Sequence, residues 1–295
     1  MTSPKPMTRI RRFRGGDRVA DRVTRFADIR STSVFSQLVR RAAGFPPQPI
    51  PMFWFSKVPN LGDALSSVIV AQVSHGTPVL VSARCRGKIH AVGSTLSRLA
   101  PGDSVWGAGA IRDEPFVPPP GVTFHAVRGP LTRCLVKADV PEVYGDPAML
   151  LPRFYRPSVE KRFEVGLVPH HKDLNATRIA DPAITTIDVR SDWRVVVDRM
   201  LECRVILSSS LHGLIVAEAY GLPAIWVKLT DNVIGDGFKF RDYFASTERE
   251  PSPALDWDRA RRAADRDRLS PPRLDLEPLV RAWPEDLSFS PAVSP

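Results

Sequence analysis

Apolar and polar positions alternate along this chain in short blocks, with a period that switches between two and about 3.6, as strands and helices taken in turn require. The clearest block is residues 205–227. Residues 205–207 read as a buried strand, Ser208, Ser209 and Ser210 as a polar turn, and 211–220 as a helix. Gly221 suits the left-handed residue that ends a helix, Pro223 prevents continuation, and 224–227 read as the next strand. The start of such a helix gathers unpaired N–H groups and the positive end of the helix dipole, a setting suited to phosphate or carboxylate. His212 stands there. The three serines are equally suited to capping the helix.

The same alternation extends to both sides. Residues 52–55, 78–81, 89–92, 105–106 and 122–127 read as strands, with a helix over 64–74 and another over 131–137 that Pro130 opens. A strand near Val143, a turn and a short helix capped by Asp146 follow. A second series runs through a strand at 164–168, a strand at 184–189, a helix at 192–202 capped by Ser191, and then the block above. Residues 238–244 read as a short amphipathic helix, 254–267 as a charged helix and 274–283 as a third. The pattern predicts an α/β fold of two doubly wound, Rossmann-like lobes facing across a cleft. The expected division is a basic leader over 1–48, an N-terminal lobe over 49–152, a C-terminal lobe over 163–247 and a helical tail over 248–295.

Charge changes the picture at one end only. The chain of 295 residues carries a net charge of +9, and residues 1–45 hold eleven Lys/Arg against three Asp, or +8 of that total. The body is nearly neutral, which argues against a nucleic-acid-binding domain. The leader suits an anionic surface or a solvated tail. No run approaches 18 consecutive apolar residues, so no membrane-spanning helix is expected, and the leader lacks the apolar stretch of a secretion signal. Cys85, Cys134 and Cys203 match neither a disulfide framework nor a zinc spacing; they read as buried thiols in a reducing compartment.

Polar residues at strand ends nominate the chemistry. They are Asp63, Arg112, Arg128, His170, His171, Lys172, Ser208, Ser209, Ser210 and His212. Asp63 suits either a helix cap or a substrate hydroxyl, and Arg128 either an anion clamp or a surface ion pair. Glycines at strand ends, Gly107 and Gly109 among them, let a ligand approach the backbone. No metal triad and no Gly-x-Ser-x-Gly elbow are present. The set favours an anionic substrate and acid–base chemistry.

In order along the chain stand Asn60-Leu61-Gly62-Asp63, Trp106-Gly107-Ala108-Gly109, Val127-Arg128-Gly129-Pro130, Tyr144-Gly145-Asp146-Pro147, Gly166-Leu167-Val168-Pro169-His170 and the run from Ser209 through Leu211-His212-Gly213 to Gly221. This series resembles the polysaccharide pyruvyl transferases, of the bacterial exopolysaccharide ketal-pyruvate type. The resemblance implies a GT-B-like fold and a reaction that moves the enolpyruvyl unit of phosphoenolpyruvate onto two hydroxyls of a sugar, with phosphate released and no cofactor or metal. By match, His212 and Arg128 are the catalytic pair. Ser208, Ser209, Ser210, Leu211, Gly213, His170 and Lys172 belong to the donor side, and Asn60, Gly62, Asp63, Gly107 and Gly109 to the acceptor side. Many relatives carry Arg directly before the Leu-His pair, where this chain has Ser210; His170 or Lys172 is the substitute cation to look for. The acceptor's lipid linkage stays open, and with it a peripheral contact of the leader and the aromatics of 238–244 with the inner face of the cytoplasmic membrane. Two other readings compete: a GT-B glycosyltransferase using a nucleotide sugar, and a non-enzymatic anionic-surface binder acting through the leader.

Overall fold

The computed structural model describes residues 48–176, 181–249, 254–264, 271–272 and 275–285; the leader and the last ten residues lie outside these. Among the described residues, nine strands form two all-parallel sheets. The first holds β1 (Pro49–Met52), β2 (Thr77–Leu80), β3 (Ile89–His90), β4 (Ser104–Trp106) and β5 (Thr123–Ala126) in the order β2-β1-β3-β4-β5. The second holds β6 (Phe163–Val168), β7 (Ile184–Thr186), β8 (Cys203–Ser208) and β9 (Ala224–Trp226) in the order β7-β6-β8-β9. The α/β class and the parallel sheets expected from the sequence are present. Each sheet reverses its strand order once, between β1 and β3 and between β6 and β8. Open parallel sheets bind ligands beyond the strand ends at such a reversal.

The helices are α1 (Leu61–Ser74), α2 (Pro130–Leu135), α3 (Trp193–Leu201), α4 (Leu211–Ala219), α5 (Phe238–Ser246), α6 (Trp257–Ala264) and α7 (Glu277–Arg281). A 3-10 stretch, Pro147–Arg153, starts at Asp146, whose side chain accepts from Ala148 N–H as expected of a cap. Side chains alternate across the strands. In β8, Val205 and Leu207 face one core with Ile225, Val227 and Ala260 of α6, while Ile206 faces another. That other core is the largest. It joins Ile50, Met52, Leu65 and Ile69 to Val196, Met200, Leu214 and Ile215, so α1, α3 and α4 pack between the two sheets. Helix α4 is apolar on nearly all sides, with Leu211, Gly213, Leu214, Ile215, Val216, Ala217 and Glu218 buried, as a helix enclosed by protein must be. Its buried Glu218 receives both Arg249 guanidinium nitrogens at 2.7 and 2.8 Å and the Tyr243 hydroxyl at 2.6 Å.

Several expectations from the sequence shift. The first strand lies at Pro49–Met52, not 52–55. Prolines fit there because the odd positions turn their N side toward β3. Phe53 N–H donates to Ile89 O, whereas Pro49 and Pro51 stand where β3 has not yet begun. Helix α1 starts at Leu61, and its cap is Asn60, which accepts from Asp63 N–H; Asp63 is not the cap. Asp192, not Ser191, caps α3. The strand near Val143 is a single bridge between Val127 and Tyr144. Phe238, Phe240, Tyr243 and Phe244 are buried, so α5 offers no aromatic face to a membrane. Cys85 and Cys134 are exposed, and only Cys203 is buried. No helix among the described residues is long and apolar enough to cross a membrane.

Candidate functional site

Both strand-order reversals open onto one cavity of about 310 Å³. Asn60 and Asp63 reach it from the loop after β1 and the first turn of α1, and Gly93 and Ser94 from the loop after β3. His170, His171 and Lys172 come from the loop after β6, and Ser210, Leu211 and His212 from the turn after β8. Lys239 completes the wall from the first turn of α5.

His212 sits at the centre of this arrangement. Its ring packs over Gly62, where an added Cβ would lie 2.0 Å from His212 Nδ1. The start of α1 is therefore the seat of an imidazole carried by α4. On the other side His212 Nε2 lies 3.4 Å from Asp146 Oδ2. Asp146 is fully buried; its second oxygen caps the 3-10 turn, and neither Asp146 Oδ2 nor His212 Nε2 has a hydrogen-bond partner. The geometry is that of a carboxylate set to orient an imidazole, still slightly longer than a hydrogen bond, as uncomplexed acid–base sites often are. The sequence shows Asp146 only as a cap; its second oxygen is visible only once α4 is packed against the turn.

The electrostatics favour an anion. Helices α1 and α4 both start at the cavity, and no side chain caps the first turn of α4, which leaves its amides available. Lys239 contributes an ammonium whose pKa burial, helped by nearby Arg128, lowers to about 8. Sequence reasoning missed Lys239: it follows the unremarkable Gly235-Asp236-Gly237 loop, and only the fold brings that loop to the cavity. Lys172 is exposed at the rim. His170 is not a cation, because burial and then Lys239 lower its pKa to about 3; His171, its ring tilted against that of His170 with centroids 4.1 Å apart, is lowered by burial first and then by Lys172. Asp63 moves the other way, raised by burial against the opposing effect of its hydrogen bond from Asn60 Nδ2.

The remaining nominated residues stand behind the wall. Arg128 is fully buried and forms a buried ion pair, not a surface one. It donates through Nε to Asp242 Oδ2 at 3.0 Å, through Nη1 to Ser94 Oγ at 2.8 Å and through Nη2 to Ala110 O at 2.6 Å. Asp242 also accepts from Thr132 N–H and Oγ1–H. It lies one turn after Lys239 on α5, so this cluster holds α5, and with it Lys239, in place. Gly109 leaves room for the Arg128 guanidinium, and Gly107, at φ +88°, for Pro147. Gly213 permits α4 to approach Ser208. Ser208 Oγ lies 2.7 Å from Val168 O and 2.8 Å from Ser210 O and accepts from Ser210 N–H. Ser209 Oγ donates to Asp173 at 2.6 Å and accepts from His170 N–H. Both hydroxyls brace the turn, and none of the three serines caps α4 through its side chain. Arg112 lies on the surface beside Glu114. Among the described residues no group of three or more His, Cys, Asp or Glu is placed to hold a metal ion.

Residues 120–231, which include Arg128, Asp146, His170 and His212, match the family model of polysaccharide pyruvyl transferase. This stretch is similar to a family of transferases, the one the motif series resembles. Among curated proteins it is 35% identical over 136 residues to an uncharacterized protein of Acanthamoeba polyphaga mimivirus, a match that covers 41% of this chain and 47% of the relative. It is 29% identical over 126 residues to the succinoglycan biosynthesis protein ExoV of Rhizobium meliloti (strain 1021), covering 40% of this chain and 39% of the relative. The chain thus spans less than half the length of either. No solved structure matches.

Proposed function

We propose that this protein transfers the enolpyruvyl unit of phosphoenolpyruvate to two hydroxyls of a saccharide, forming a cyclic pyruvate ketal and releasing phosphate. The observation that carries the reading is His212, set between buried Asp146 and the start of α1 in a cavity that collects two helix N-termini and the Lys239 ammonium. Phosphoenolpyruvate brings two anionic groups, a carboxylate and a phosphate, and needs two electropositive sites. Here those are the α4 amides and Lys239 with Lys172. In this reading 49–152 forms the acceptor lobe and 163–247 the donor lobe of a GT-B-like cleft.

The chemistry balances as follows. His212 delivers a proton to the methylene carbon of the donor, which leaves an oxocarbenium-like carbon bearing the phosphate and carboxylate. The first sugar hydroxyl adds to that carbon and gives up its proton to the neutral imidazole. Phosphate departs, the second hydroxyl adds to the same carbon, and its proton passes to the released phosphate or to Asp63. Asp146 holds the imidazole in orientation and stabilises its protonated form, the part a buried carboxylate plays in a hydrolase triad. Arg128 is a positioning residue in this scheme.

The test is mass spectrometry of saccharide products after incubation with phosphoenolpyruvate, alongside release of inorganic phosphate. The expected product gains a pyruvate ketal, and His212→Ala loses it while keeping the wild-type melting curve. Release of nucleoside diphosphate from nucleotide sugars, with none of phosphate from phosphoenolpyruvate, would instead identify a glycosyltransferase.

A further inference from the structure

A second, larger cavity of about 540 Å³ adjoins the first. It opens beyond the ends of β8 and β9 and is walled by Ser209, Trp226, Thr230, Asp236 and Phe240, among others. Nothing in the proposed mechanism uses it. The loop between β9 and α5, with the first turn of α5, is the partition: Val233, Asp236 and Gly237 face the larger cavity, whereas Ile234 and Lys239 face the smaller. Ser209 and Ser210 divide in the same way.

The two cavities differ in charge. The smaller one is lined by Lys57, Lys172 and Lys239 against Asp63 alone. The larger carries Lys228 and Arg241 against Asp231 and Asp236, and its cations are engaged: Lys228 with Asp231 at 2.5 Å, Arg241 with the Asp236 carbonyl at 2.7 Å. A diphosphate would find no net positive charge there. A neutral polyol would find the Asp236 carboxylate to bond, and the indole of Trp226 for its apolar face. Trp226 is backed on one face by Phe240, stacked at 4.3 Å and 9°, with Gly237 passing so close that a Cβ would meet the indole at 2.6 Å.

We propose that the larger cavity is a saccharide subsite, holding an uncharged pyranose of the acceptor beyond the unit that receives the ketal, so that the acceptor extends from the N-terminal lobe across the 230–240 segment onto the lobe that binds the donor. That role rests on the pyruvyl-transfer reading; the binding of a neutral sugar at Trp226 does not. The experiment is saturation-transfer difference NMR on the full chain with the methyl pyranosides of glucose, galactose, mannose and N-acetylmannosamine, and with uridine diphosphate for comparison. The expected result is transfer to the ring protons of at least one pyranoside. The signal should fall at least fivefold in Trp226→Leu and in Asp236→Asn, and survive both Lys239→Met and saturating phosphoenolpyruvate. Asp236 is exposed at φ +47°, a conformation Asn also tolerates, so that variant keeps the fold even if Trp226→Leu does not. Three results overturn the proposal: transfer to none of the four sugars, transfer indifferent to Asp236→Asn, or transfer displaced by phosphoenolpyruvate. Uridine diphosphate binding lost with Trp226 in place of sugar binding overturns it as well. Broadening of the phosphoenolpyruvate 31P line by the chain reports the donor site separately, so a failed donor reading and a failed sugar subsite give different outcomes.

Discussion

At the scale of single residues, the site turns on groups whose surroundings set their charge. Asp146 is buried with one oxygen lacking any partner except the His212 ring. Asp146→Asn keeps the volume and the cap to Ala148 but removes the charge that stabilises imidazolium. Turnover is expected to fall by about 10²–10⁴-fold, the contribution a well-positioned acid–base group makes, with the melting temperature little changed; steady-state kinetics beside a thermal melt decide it. Lys239 makes a second case. Its pKa near 8 means that the ammonium proposed to bind the donor is lost as pH rises through 8, so kcat/KM for phosphoenolpyruvate should decline on that limb. Lys239→Arg should move the limb beyond the measurable range, because guanidinium stays protonated. Lys239→Met should raise KM by tenfold or more. It should also raise the melting temperature, since a partly buried, imperfectly paired charge costs stability.

At the scale of elements, the start of α1 has two tasks. Asn60 caps the helix, and Gly62 leaves the space the His212 ring fills. Gly62→Ala improves helix propensity by roughly 0.5–1 kcal/mol yet drives a methyl group into the imidazole. Activity is therefore expected to fall at least a hundredfold with the fold retained, read as loss of turnover at an unchanged or higher melting temperature. Pairing α1 with α4 was not legible in the sequence. The Asn60-Leu61-Gly62-Asp63 and Leu211-His212-Gly213 motifs each announce a helix start, but 150 residues separate them. Only the shared core of Leu65, Ile69, Leu214 and Ile215 brings them to one point.

At the scale of the whole molecule, all four perturbed histidines act in one direction. His90, His125, His170 and His171 all have lowered pKa values, burial being the first cause in each. Asp103 is lowered too, by hydrogen bonds from His90 and Lys88 that outweigh its burial. For each of these the folded chain binds fewer protons than the unfolded one, so stability is full above the unfolded pKa and is lost as pH falls. The loss should begin near pH 6.5 with the histidines, continue toward 3 with His170 and be joined below 3.8 by Asp103; Asp63, raised by burial, opposes it alone. A melting temperature that is flat or rising from pH 7 to 4 would contradict this. His90 is the sharpest probe. Fully buried between Thr95 at 3.0 Å and Asp103 at 3.1 Å, it should account for part of the early fall, so His90→Gln should flatten the upper part of the curve while lowering its plateau.

What the sequence determined by itself is the succession of elements and the family they resemble. Apolar runs of strand length, periodic helices, and glycine and proline at their ends are local signals, and local physics reads them. The exceptions are where a neighbour decides: Pro49 and Pro51 become a strand because β3 starts late, and Val143 fails to become one because a single bridge is all β5 offers. The tertiary structure decided which polar residues face the cavity. Ser208, Ser209 and Arg128 look like ligand groups in one dimension and serve as braces in three, since buried hydroxyls and guanidinium must find partners within the fold. Asp146 and Lys239 look ordinary in one dimension and reach the cavity only because α4 and α5 are packed where they are. Charge and hydrogen bonding act over a few ångströms, and no spacing along the chain records which groups will be that close.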